Sequence, residues 1–76
     1  MKYQVKFVVF QGEITALFPK VSADDRGNIL SYAHIGQHGA ASPSLTRCKR
    51  ATPAEYADLL TELKGIYEPE DSLEII

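Results

Sequence analysis

Apolar and polar residues alternate along the first stretch of the chain. In "KYQVKFVVF", Tyr3, Val5, Phe7 and Val9 alternate with Lys2, Gln4, Lys6 and Val8. A period of two predicts a β-strand. "QG" follows as a tight turn, because glycine takes positive φ without steric cost. "EITALFP" then predicts a second strand that stops at Pro19, which has no N–H to give a ladder. If Gln11-Gly12 is a two-residue loop, Val9 faces Ile14, Phe7 faces Ala16 and Val5 faces Phe18. All six residues are apolar, so the pairing builds one coherent face. The other face holds Lys6, Val8, Phe10, Glu13, Thr15 and Leu17 and is half apolar. Either another part of the fold covers it or it meets a partner. Val8, Phe10 and Leu17 are therefore the expected partner-binding surface.

"KVSADDRGN" reads as a polar loop rich in turn formers. The adjacent Asp24 and Asp25 lack the alternate ligand spacing of a calcium loop. "ILSYAHI" predicts a third strand, with Ile29, Ser31, Ala33 and Ile35 as the expected core face. Gly36 to Ser44, with two glycines and Pro43, reads as a loop. "LTRCKR" is the expected fourth strand. The helix carries the clearest local signals. Thr52 is an N-cap, Pro53 stands at the first helical position, and Glu55 follows three residues after the cap, which is a capping box. Tyr56, Leu59, Leu60, Leu63 and Ile66 fall at helical spacing and make one apolar stripe. Gly65 is the expected terminator. "YEPED" is a turn and "SLEII" a short last strand.

The expected order is β-β-β-β-α-β. It predicts a single small α+β domain over residues 1–76: a mainly antiparallel sheet of four to five strands with one helix packed on one face. At 76 residues such a domain buries only about 60% of the surface its unfolded chain exposes, so self-association would help it. The net charge of −2 hides an asymmetry: residues 1–50 sum to +4 and residues 51–76 to −6. Within one fold the two halves attract each other; the sharper alternative is a basic face for an anionic partner. No window approaches the ~20 apolar residues that span a bilayer, so no membrane partner is expected. The single cysteine, Cys48, rules out an internal disulfide and fits a cytoplasmic protein.

Three sets of residues could carry chemistry. His34 and His38 stand four apart within "SYAHIGQHGAAS", and Cys48 could supply a third metal ligand. In an extended strand the two rings sit roughly 13 Å apart at ~3.3 Å per residue. A shared metal then requires a bend at Gly36, and zinc still wants a fourth ligand. A thiolate pair of Cys48 with either histidine would gain from Arg47, Lys49 and Arg50 nearby. No oxyanion-hole loop accompanies it, and no catalytic residue or cofactor is implied. "HIGQH" looks superficially like the His-Ile-Gly-His signature of nucleotidyl transferases. That signature opens a helix in a large nucleotide-binding fold, and neither is available to this chain. The third set is Arg47, Lys49 and Arg50 with Tyr32 as a stacking surface, a pattern that suits single-stranded nucleic acid. The acidic pI and the absence of tryptophan weigh against it.

Taken together, "GEITALFP", "SYAHIGQHGAAS" and "ATPAEYADLLTEL" resemble a group of short uncharacterised proteins of bacterial, phage and mobile-element genomes. The resemblance runs over most of the chain, with the three stretches in the same order. It implies a cytoplasmic accessory protein, and it brings no activity, ligand or catalytic residue with it. The expected role is a non-enzymatic binding module that works through protein contacts or as a homodimer, the sheet edge being the other surface available for pairing. Nucleic-acid binding through the basic strand and a site at His34, His38 and Cys48 are the alternatives.

Overall fold

The computed structural model describes residues 2–33 and 37–76. Its elements in chain order are β1 (Lys2–Phe10), β2 (Glu13–Ser22), β3 (Ile29–Ala33), β4 (Gln37–Ala41), a 3-10 helix (Pro43–Arg47), α1 (Pro53–Tyr67) and β5 (Ser72–Ile75). One five-stranded sheet has the order β4-β3-β2-β1-β5. All neighbours are antiparallel except β1 and β5, which run parallel. The fold is α+β, as the residue pattern predicts.

The β1–β2 hairpin forms in the expected register, with Phe7 opposite Ala16 and Val9 opposite Ile14. Gln11 at φ 51° and Gly12 at φ 78° give both loop residues the positive φ of a type I′ turn, whose twist matches that of the strands. Strand β2 runs on past Pro19 to Ser22. Its pairing with β3 shifts register between Phe18 and Ser22. The irregularity brackets Pro19, so the missing donor is accommodated there. The following turn is organised by Asp24. One carboxylate oxygen accepts from the backbone N–H of Arg26 and Asn28, and the other from the Asn28 side chain at 2.8 Å. These bonds hold its carboxyl below its ordinary range.

Helix α1 starts on the predicted capping box. Thr52 Oγ1 accepts from the N–H of Glu55, and Glu55 Oε1 accepts from the N–H of Thr52 at 2.8 Å. The helix does not stop at Gly65; it continues to Tyr67. Ile66 is half exposed, at 51%, whereas Tyr67 packs on Tyr3 and Phe18 with ring centroids 5.2 and 5.7 Å apart. Aromatic packing at Tyr67 outweighs the terminating tendency of Gly65.

The sheet is covered on both faces. On the helix face, Val5, Phe7, Ala16, Phe18, Tyr32, Ala51, Leu59 and Leu63 form the larger core, and Phe7 stacks on Tyr56 at 4.3 Å. On the opposite face a smaller cluster of Val8, Leu17, Ile29 and Ala41 is packed by Leu45 and Cys48. The segment from the 3-10 helix to Cys48 thus lies across the second face. Lys6 Nζ donates to the carbonyl of Thr46 at 2.6 Å and ties that segment down.

Two expectations are corrected here. The fourth strand is Gln37–Ala41, within the stretch expected to be a loop, while the first half of "LTRCKR" is 3-10 helix and its last residue contributes one antiparallel bridge, Val8 to Arg50. In β3 the helix-facing side is Leu30 and Tyr32, because Tyr32 pairs with Ala16. Ile29 instead joins the smaller cluster on the far side.

Candidate functional site

The structure separates the residues that the sequence grouped. Val8 and Leu17 are fully buried, under the chain's own 3-10 segment. They are a second core rather than a partner surface, and only Phe10 of that expected trio stays partly exposed. A short polar segment can seal this face because the apolar area is small and Leu45 and Cys48 fill it.

His34 lies outside the described residues. His38 sits in β4 on the helix side, against Phe18, Tyr32 and Tyr67. Cys48 packs on the other side of the sheet. The sheet therefore stands between His38 and Cys48, which rules out their sharing a metal or forming a thiolate pair. Among the described residues no group of three His, Cys, Asp or Glu side chains is placed to hold a metal ion.

Arg47, Lys49 and Arg50 are all exposed, but Tyr32 is 4% exposed beneath the helix and offers no stacking surface. Arg50 donates to the Ile76 carbonyl, and its neighbours Lys49 and Ala51 seal the upper edge of β1 through Val9 N–H to Lys49 O and Ala51 N–H to Phe7 O, at 2.8 and 2.9 Å. Part of the basic segment is thus committed to structure.

An aromatic corner forms at the C-terminal end of α1, where Tyr3, Phe18, Tyr32, His38 and Tyr67 meet. Tyr67 Oη and His38 Nε2 share a hydrogen bond of 2.8 Å, and Tyr32 Oη donates to Glu62 Oε1 at 3.0 Å. Burial raises both phenols above the ordinary tyrosine range, and the Glu62 carboxylate raises Tyr32 further. Both hydroxyls stay protonated at neutral pH and act as struts between helix and sheet.

Beside β5 a depression of about 280 Å³ is lined by Lys2, Tyr3, Gln4, Lys20, Val21 and Glu74. Its polar groups serve one another: Lys2 Nζ is 3.0 Å from Glu74 Oε2, and Gln4 Nε2 donates to Glu74 Oε1 at 3.1 Å.

The feature that sequence reasoning missed is the edge strand β4. Among the described residues no strand pairs with its outer side, and His38, Gly39 and Ala40 are exposed. It contains no charge, proline or bulge, the devices that blunt sheet edges. The other edge, β5, has four residues and carries Glu74. Small residues hid β4, since "HGAA" shows no alternation of apolar and polar side chains. The signal available was the absence of charge and proline from Gln37 to Ala41.

Comparison with models of known protein families, with curated proteins and with solved structures finds no match to this chain.

Proposed function

We propose that this chain is a non-enzymatic binding module that engages protein by strand addition at β4. One observation carries the reading: the sheet ends on a five-residue strand whose His38, Gly39 and Ala40 are exposed and uncharged, with no edge protection among the described residues. An unpaired strand offers a row of backbone donors and acceptors to an extended segment. The rest of the molecule supplies a rigid support, since β3 behind it is pinned to β2 and Tyr32 is anchored by Glu62.

Selection of displayed random peptides on the immobilised protein tests this. Extended peptides should be enriched, and their binding should be lost in Ala40→Pro, which removes a backbone donor from the edge. Peptides that bind Ala40→Pro as well as the parent would place the surface elsewhere. Failure to enrich any peptide, together with a strictly monomeric chain, would overturn the reading.

A further inference from the structure

We infer that the occupant of the β4 edge is a second copy of β4, paired antiparallel about Gly39 to give a two-fold dimer. The inference rests on the binding reading above and names its partner.

A two-fold interface sets each residue beside its own counterpart, so any net charge on the patch repels itself. The interface that avoids this is a charge-free one. Strand β4 has no charged residue, and neither has β3 behind it: Ile29–Ala33 and Gln37–Ala41 contain no Lys, Arg, Asp or Glu. In a chain that is 24% charged, this two-strand corner is neutral. On the helix side Glu62 is anchored above Tyr32 of β3. Across a joined sheet the two β3 strands lie three strand spacings apart, roughly 14 Å, which exceeds the screening length of ~8 Å at physiological salt. The alternative edge, β5, brings Glu74 and its ion-pair partner Lys2 to the junction.

Side-chain size gives the same register. With Gly39 opposite the partner's Gly39, His38 stands opposite the partner's Ala40, and Ala40 opposite the partner's His38. The larger ring meets a methyl group both times. His38 and Ala40 both lie on the helix side, since His38 pairs with Tyr32 and Ala40 with Leu30. The dimer is then a continuous ten-stranded sheet with both helices on one face.

The register permits a direct test. Directly opposed residues of an antiparallel pair have Cα atoms about 4.5–5.5 Å apart, within disulfide reach. A cysteine fits at position 39: an added Cβ meets only Ser31 Oγ, at 3.7 Å. In a Cys48→Ser background, Gly39→Cys should form a covalent dimer under mild oxidation, whereas Thr61→Cys on the exposed helix surface should not. Light scattering of the unmodified chain from micromolar to millimolar concentration should show its mass doubling. Ala40→Lys, which places a cation on each copy at the junction, should weaken that association roughly tenfold or more with an unchanged circular dichroism spectrum. A chain that stays monomeric throughout overturns the inference. So does a dimer that ignores Ala40→Lys and fails to cross-link through position 39. If a monomeric chain still selects peptides that Ala40→Pro abolishes, the binding module stands and self-pairing falls; if it selects none, both fall.

Discussion

The two faces of the sheet are covered by very different means. One lies under a fifteen-residue helix with a capping box and a core of eight buried residues. The other is sealed by a five-residue 3-10 helix and four buried residues, with Leu45 and Cys48 packed on top. Val8 and Leu17 are nonetheless as thoroughly buried as Leu59 and Leu63. The comparison shows that burial does not require a long α-helix. It requires enough apolar reach to match the area exposed, and a tether. On the second face Lys6 is that tether, its Nζ bonded to Thr46 O.

Mutations can break or sharpen this contrast. The largest effect is expected from Phe7→Ala, which removes both a fully buried ring and its stack on Tyr56. The expected cost is about 3–5 kcal/mol, a large share of the roughly 5–15 kcal/mol that holds a domain together; denaturant unfolding measures it. Leu17→Ala on the other face should cost about 2–5 kcal/mol if the 3-10 segment forms a true core. A cost below about 1 kcal/mol would show that segment to be a loose flap. Thr52→Ala removes the reciprocal cap and should cost about 1 kcal/mol, read as a lower midpoint with an unchanged denaturant slope. Lys6→Met should cost less still and should speed thiol labelling of Cys48, because only the second face loosens. Equal labelling rates in the parent and Lys6→Met would remove the tether from the account.

Acid and base probe the helix side and the β5 edge. Hydrogen bonds from Thr52 hold the Glu55 carboxyl below its usual range, and Lys2 and Gln4 do the same for Glu74. Both contributions are present at neutral pH and are lost as pH falls through the lowered values, so stability should decline on acidification. Tyr32 and Tyr67 are raised. Their contribution is complete below the ordinary tyrosine value and is lost as pH rises beyond it, because the unfolded chain ionises first. Alkaline unfolding should therefore begin just above that value and should shift in Tyr67→Phe, which loses one of these ionisations. An unchanged alkaline limb in that variant would detach Tyr67 from the effect.

Most of the fold was legible in the residue pattern, and the exceptions share a cause. The hairpin register, the capping box and the final strand follow from local rules, and each is present. Three of the features that depend on distant partners run against the residue pattern. "QHGAA" is a strand because β3 supplies the ladder, not because its side chains alternate. "LTRCKR" sits over Val8 and Leu17, where it fills an apolar face rather than extending a sheet. Gly65 does not end the helix because Tyr67 has rings to pack against. The candidate site was the least legible part. Its edge strand is defined by the order of strands in space, which no window of sequence contains.

The parallel pairing of β1 with β5 has the largest sequence separation in the sheet. Gln4 and Glu74 are 70 positions apart and meet side by side, whereas β1, β2 and β3 are neighbours in both sequence and space. Contacts between residues far apart in sequence cost more loop-closure entropy than local ones, and β5 is the strand that carries this cost. Without β5 the lower half of β1 would have a bare edge of its own. The fifth strand therefore caps β1, while β4 forms the opposite edge of the sheet.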